Sequence, residues 1–387
     1  MMLSRKRKKI SEINVRKKRV LVRCDFNISL EDEKEIFNSL RIQQAIPTIN
    51  YLLKNNAKVI LLSHLSGEKS ILPIKNALSF FLQKEVKFVS DCVGKDVKKE
   101  IDEMQEGDVL LLENVRKHKE EKENSSRFGK ELASLANIFV NDAFSVSHRN
   151  HASVTKIPLF LPSAMGMLME REIKVLEKLK KNPKKPIVAV IGGAKVESKI
   201  SVVNYFLENA DHVLLGGKIA NMVLIVRKIA FNLPRPSKEI EQFVEKIDYT
   251  SPKLHIPVDV IASKDNTGEK GVRETAPAKV NKDEDIFDIG KETMKLYGDI
   301  ISEARTIIWA GPLGFSERKA FERGTKEVGK RVVENEGAVK VIGGGDTGKS
   351  FQQFGLLNKM DLVSYGGGAM LAYISGEPMP GIEALTK

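Results

Sequence analysis

Three arginines stand just beyond apolar runs in the first half of this chain. Arg41 opens a helical segment, Arg116 ends the run VLLLENVR, and Arg149 lies in SHRNHAS. Asp25 and Asn27 close VLVRCDFN, and His64 closes VILLSH. Singly, each reads as a cap, a turn or a surface charge. Together at converging strand ends, three guanidinium forks suit a phosphate or a carboxylate held by paired hydrogen bonds. His118, His148 and His151 lie close by, but their spacing matches no zinc motif.

The second half offers different chemistry. Five apolar runs end in glycine: IVAVIGG, VLLGG, IIWAG, VKVIGGG and LVSYGGG. Gly192–Lys199 (GGAKVESK) is expected to follow a strand and open a helix, where paired glycines and helix-start amides favour anions. Lys195 and Lys199, four apart, would then share one face and follow charge on a moving phosphoryl group. An ordinary strand–helix turn with surface lysines is an equal alternative for this stretch. Gly343–Ser350 (GGGDTGKS) matches the P-loop pattern letter for letter. Its place near the end of the chain counts against a P-loop domain, because no later apolar strand ends in Asp to hold a metal. The preferred reading makes Gly343–Gly345 a phosphate turn, Asp346 a Mg²⁺ ligand, Thr347 a helix cap that also bonds phosphate, and Lys349 an ordinary helix residue. An anion site and a phosphate site together suggest phosphoryl transfer.

These residues need rigid elements to position them. Continuous apolar strands mark a parallel sheet buried on both faces, which binds ligands beyond its carboxyl strand ends. A chain of 387 residues suits two domains. Ser39 is expected to cap a helix that Pro47 kinks or restarts. Ser163 is expected to begin a long helix carrying Met165, Met169, Ile173, Leu176 and Leu179, closed at Asn182-Pro183, which marks the domain boundary. The net charge is +12, but residues 1–19 hold nine Lys/Arg against Glu12, a net +8, leaving +4 for the rest. With no aromatic interleaving, this reads as a solvated basic terminus and not as a specific nucleic-acid surface. No apolar stretch is long enough for a membrane span, no h-region marks a secretory signal, and a first strand near Val20 leaves no room for a transit peptide. Two cysteines without metal spacing fit a reducing cytoplasm.

Ten segments in order carry a resemblance: RVLVRCDFN, RIQQAIPTI, LLSHL, LLENVR, FVNDAFSVSHRNHAS, VIGGAKVESKI, PVDV, WAGPLG, VIGGGDT and YGGGAMLAYISGEPMPGIEAL. Over nearly its whole length the chain resembles the phosphoglycerate kinase family. The resemblance implies an α/β fold of two Rossmann-like domains with parallel sheets, joined by a hinge helix at about 163–181. Residues 1–165, with the tail 372–387 packed back on them, would bind phosphoglycerate; residues 166–371 would bind nucleotide. The implied reaction is reversible transfer between 1,3-bisphosphoglycerate and ADP, giving 3-phosphoglycerate and ATP, with Mg²⁺, in a cytoplasmic monomer. Asp25, Phe26, Asn27, Arg41, His64, Leu65, Ser66, Gly67, Arg116 and Arg149 would line the phosphoglycerate site. Lys195, Lys199, Glu317, Gly344, Gly345, Asp346 and Thr347 would hold the nucleotide, with Asp346 on the metal. Arg41, Lys195, Lys199 and the backbone of Gly345 and of Gly366–Gly368, Gly368 above all, would act on the transferring group.

Several positions depart from the family pattern. A substrate arginine usually follows His-Leu-Gly; here Ser66-Gly67-Glu68-Lys69 stands instead, with Lys69 the nearest cation. Ser198 replaces an Asp, Ala310 an Asn, Lys291 a Pro and Tyr365 a Thr.

Overall fold

A computed structural model describes residues 7–196 and 199–386. The chain divides into two compact units, one of residues 1–175 with 377–387 and one of 176–376.

In the first unit β1 (Arg19–Arg23), β2 (Lys58–Leu62), β3 (Val86–Val89), β4 (Val109–Leu112), β5 (Ile138–Asn141) and β6 (Ser163–Met165) form one sheet in the order β3-β4-β2-β1-β5-β6. Every pairing in it is parallel. The central strands are buried throughout their apolar length because helices cover both faces, which is why their sequences do not alternate.

The second unit holds β7 (Ile187–Ile191), β8 (His212–Leu215), β9 (Leu254–His255), β10 (Val260–Ser263), β11 (Arg273–Thr275), β12 (Asp285–Ile289), β13 (Thr306–Ala310), β14 (Val339–Gly343) and β15 (Leu362–Ser364). Six of them make a second parallel sheet, β15-β14-β13-β7-β8-β9, and the other three a small antiparallel sheet, β11-β10-β12. The chain leaves β7 for β8 on one side and later returns to β13 on the other. That reversal is the point where open α/β sheets leave a crevice for ligands. Trp309 anchors it from below: fully buried, its indole donates to the Gly311 carbonyl (2.7 Å) and meets Phe351 edge-on.

Two helix expectations need correction. The long helix runs Met167–Lys181 and does not begin at Ser163. Residues 163–165 pair with β5 as an edge strand, and Gly166 then turns where a Cβ would collide with the Asp142 carboxylate. Asp142 in turn accepts the Met169 amide (3.1 Å), capping the helix from outside. The helix Leu40–Lys54 passes through Pro47 without a restart, and Ser39 stands at its N-cap with no side-chain cap bond. The C-terminal segment from Glu377 packs in the first unit, where the Gly381 amide donates to Ser147 O (2.8 Å).

Candidate active site

The carboxyl ends of β1, β2 and β4, with the segment after β5, bring the predicted basic residues together in the first unit. Arg41 pairs with Asp25, which also accepts the Ser145 hydroxyl. Asp25 therefore fixes the Arg41 fork in place; its own charge would repel an anion. Asn27 accepts the Ser66 amide (2.9 Å) and pins the loop after His64. Phe26 and Leu65 are core side chains, so only their backbone can face a ligand. Gly67 sits at φ +76° in an exposed turn. Lys69 is exposed, and its carbonyl accepts from Asn114 (2.9 Å).

Arg116 is the most telling member. It is only 8% exposed, and its Nε and Nη2 have no hydrogen-bond partner among the described residues. Buried donors without partners are costly and rare in folded chains. Burial, then the charges of Arg149 and Arg23, push its guanidinium down to about 10. His64 is driven well below its usual range by burial, then by Arg23, Arg116, Arg149 and Arg41. It is thus a neutral ring among four cations. His151 is pushed to about 4 by burial and by Arg116, Arg149 and Arg23; His148 is pushed to about 4 by burial and by Arg149. This is an electropositive site with unfilled donors, suited to an anion. Arg149, exposed at its rim, supplies charge from the outside.

Arg23, not singled out from sequence, underlies the site. Fully buried, it donates to Ser153 Oγ (2.8 Å) and Cys24 O (2.6 Å) and touches His64 Nδ1 (3.3 Å). Glu121, also fully buried, lies 3.9 Å from it and accepts the Ser153 hydroxyl (2.6 Å). A charged residue inside a doubly buried strand must find such a partner; that was the available signal.

In the second unit the loops after β7, β8, β13 and β14 converge. Their glycines serve chiefly to let backbones touch. The Gly192 and Gly193 amides donate to Ala310 O (3.0 Å) and Pro312 O (2.7 Å), and Gly217 to Leu313 O (2.7 Å). A Cβ on Gly311, at φ +97°, would strike the Gly192 carbonyl. The expectation of free phosphate-binding amides at Gly192-Gly193 is therefore corrected: those donors are spent on the neighbouring loop. An α-helix there spans Ile200–Asn209, and residues 197 and 198, between Lys195 and Lys199, lie outside the described residues. Lys199 is the N-cap residue, with its ammonium on the Gly192 carbonyl and near Ala310 O (3.4 Å). Burial lowers it to about 8, opposed by Asp346 and reinforced by Lys195. Lys195 is exposed. Ser198 lies outside the described residues.

The turn after β14 is shorter than a P-loop. The helix Gly345–Gln353 starts directly after its N-cap Gly344 (φ +109°), so Gly348 and Lys349 lie inside it. The Ser350 hydroxyl is buried against Ser316 (2.7 Å). No loop remains to wrap a phosphate in the P-loop manner. Thr347 is not the cap: its buried hydroxyl donates to Gly343 O (2.9 Å) and accepts the Gly311 amide (2.8 Å), tying β14 to β13. Asp346 is exposed and, with Gly193, Gly217, Leu313 and Glu317, lines a cavity of about 790 Å³. That volume is in the range of small-molecule and cofactor pockets. Gly367 packs on Gly344, while Gly368 faces open space. At the departure from proline, the Lys291 amide donates to Glu274 (2.7 Å), a bond proline cannot make.

A cationic site with partnerless buried donors on one α/β unit and a glycine-lined cavity at the sheet reversal of another are the equipment of a phosphotransferase, which works by positioning and charge neutralisation. A family model described as phosphoglycerate kinase matches residues 10–377. A phosphoglycerate kinase of Clostridium kluyveri is 41% identical over 98% of both chains, and one of Aquifex aeolicus 39% identical over 97% of both. The solved phosphoglycerate kinase of Pyrococcus horikoshii superposes with a TM-score of 0.87 at 31% identity, and that of Coxiella burnetii with 0.78 at 33%, each covering 98% of both chains. The chain belongs to the phosphoglycerate kinase family. It is accordingly an ATP/ADP-utilising phosphotransferase of glycolysis, with a carboxyl group as acceptor.

Proposed function

We propose that the arginine site of the first unit holds 3-phosphoglycerate or 1,3-bisphosphoglycerate, and that the cavity of the second holds ATP or ADP with Mg²⁺. The observation that carries this is Arg116, whose buried, partnerless donors need an anion to complete them. Arg41, aimed by Asp25, and Arg149 add charge, Asn27 steadies the Ser66-Gly67 loop, and neutral His64 offers a hydrogen bond. In the second unit Glu317 and the glycine loops contact the nucleoside, and Lys195 and Lys199 the phosphates. The first-turn amides of the helices that open at Gly345 and Gly367, Gly368 among them, favour negative charge. Asp346 is an exposed, hard carboxylate lining the cavity, which fits Mg²⁺ shared with phosphates and water. When bound, Mg²⁺ neutralises phosphate charge.

A terminal phosphate oxygen of ADP attacks the phosphorus of the acyl phosphate. The bond to the carboxyl oxygen breaks, and the 3-phosphoglycerate carboxylate leaves. No protein nucleophile takes part. Two buried, unpaired cysteines support a cytoplasmic setting, and separate cores on the two units support a monomer. A coupled assay of purified protein with 3-phosphoglycerate and ATP, with and without Mg²⁺, tests the reading. Turnover that depends on all three is expected; ATP hydrolysis independent of 3-phosphoglycerate would refute it.

We further propose the helix Met167–Lys181 as a hinge, since direct transfer needs reacting atoms about 3–3.5 Å apart. Small-angle scattering should show a smaller radius of gyration with both substrates bound. An unchanged radius at saturation would remove the hinge.

A further inference from the structure

Asp91, Cys92 and His118, none of them assigned a role above, lie at the carboxyl ends of the neighbouring strands β3 and β4. Asp91 and Cys92 lie in the turn after β3, and His118 ends the single turn Val115–Lys117 that follows β4. A carboxylate oxygen, the thiol sulfur and a ring nitrogen from the three all lie within 4.8 Å of one another. Asp91 Oδ1 and His118 Nε2 are 2.6 Å apart. The ring is held by stacking on Phe128, with centroids 5.0 Å apart. The Cys92 thiol is fully buried and donates to the Glu113 carbonyl (2.8 Å). Glu113 itself is no ligand, because its carboxylate already takes bonds from Ser70, Ile71, Asn114 and Lys117. Burial, then the charges of Asp91, Glu113 and Glu121, raise the Cys92 thiol, opposed by Arg23.

We propose that Asp91, Cys92 and His118 bind a zinc ion, with water in the fourth position. Thiolate, imidazole and carboxylate together suit zinc, whereas an all-oxygen set would suit Mg²⁺ or Ca²⁺. Ligand atoms around a tetrahedral zinc lie about 3.3–3.6 Å apart, given bonds of about 2.0–2.3 Å. The Asp91–His118 pair must therefore open from 2.6 Å, and any wider pair within the 4.8 Å limit must close to that spacing, by side-chain rotation. Cys92 gives up its thiol proton to solvent as the sulfur–zinc bond forms, and His118 binds as the neutral ring with its proton on the other nitrogen. The ion would clip the turn after β3 to the segment that carries Arg116 two residues before His118.

The test uses untagged, full-length protein titrated with Zn²⁺ against a chromophoric chelator, and with Co²⁺ to read the sulfur–cobalt charge-transfer band. One equivalent should bind and the band should appear. Cys92→Ser should abolish the band, and His118→Ala and Asp91→Asn should each weaken Zn²⁺ binding by at least about tenfold. Asp91 is exposed, so its variant remains informative if the buried Cys92→Ser proves unstable. Absence of stoichiometric zinc, or binding that Asp91→Asn and His118→Ala leave unchanged, would overturn the proposal.

Discussion

On the proposed reading, the two units meet phosphate chemistry with opposite means. The first builds its site from side chains: guanidiniums, an imidazole and the carboxylates that hold them, with Arg23, Arg116 and His64 buried. The second builds from backbone, with the loops after β7, β8, β13, β14 and β15 pressed so closely that Gly192, Gly217, Gly311 and Gly367 have no room for a Cβ. A small rigid anion offers only charge and geometry, so placed forks suit it. A nucleotide brings a large surface and a string of phosphates, so a shaped cavity suits it. The contrast also separates two uses of glycine. Most glycines of the second site serve loop-to-loop contact, and few leave an amide open toward a ligand.

The largest effect should come from removing the two cations proposed to act on the reacting group. Lys199→Ala and Arg41→Ala should each lower kcat by about 10²–10³ with little change in KM. Near-normal turnover with altered KM in either variant would place that residue in ground-state binding only. Lys199 also predicts a pH limb. With its ammonium lowered to about 8, the free enzyme loses this charge as pH rises through that value, so kcat/KM for nucleotide should fall above it. The limb should be missing from Lys199→Ala.

Next comes Gly311→Ala. The substitution adds a Cβ against the Gly192 carbonyl at φ +97° and should cost about 1–3 kcal/mol of stability, seen as a lower Tm. It should raise KM for ATP and spare KM for 3-phosphoglycerate; the reverse would break the division between the sites.

The smallest effect concerns the loop where the family arginine is missing. Lys69 is exposed, so Lys69→Ala should raise KM for 3-phosphoglycerate only about two- to fivefold. No change would make it a solvated loop residue. Gly67→Arg restores a guanidinium and should lower that KM, but the left-handed φ of +76° costs about 1–2 kcal/mol of stability.

The strands that carry both sites were legible because double burial writes them as unbroken apolar runs. β3 (VKFV), β6 and β9 were not, being short edge strands that look like loop sequence. β10–β12 pair antiparallel, with mixed and half-exposed faces, and gave no such run. Among site residues, the arginines after strands could be picked out by type and place. Arg23 could not be assigned, since its partner Glu121 is distant in sequence and only the fold brings them together. The fate of the Gly192 and Gly193 amides was equally hidden: donors look free in a sequence until the loop that accepts them is placed.

The most direct test of the division of labour is calorimetric titration of Arg116→Ala with 3-phosphoglycerate and, separately, with Mg-ADP. Losing the two partnerless donors of Arg116, Nε and Nη2, should weaken 3-phosphoglycerate binding by about 10–100-fold, the scale of charged hydrogen bonds, and leave Mg-ADP affinity at the wild-type value. Unchanged 3-phosphoglycerate affinity, or a loss confined to Mg-ADP, would contradict the account.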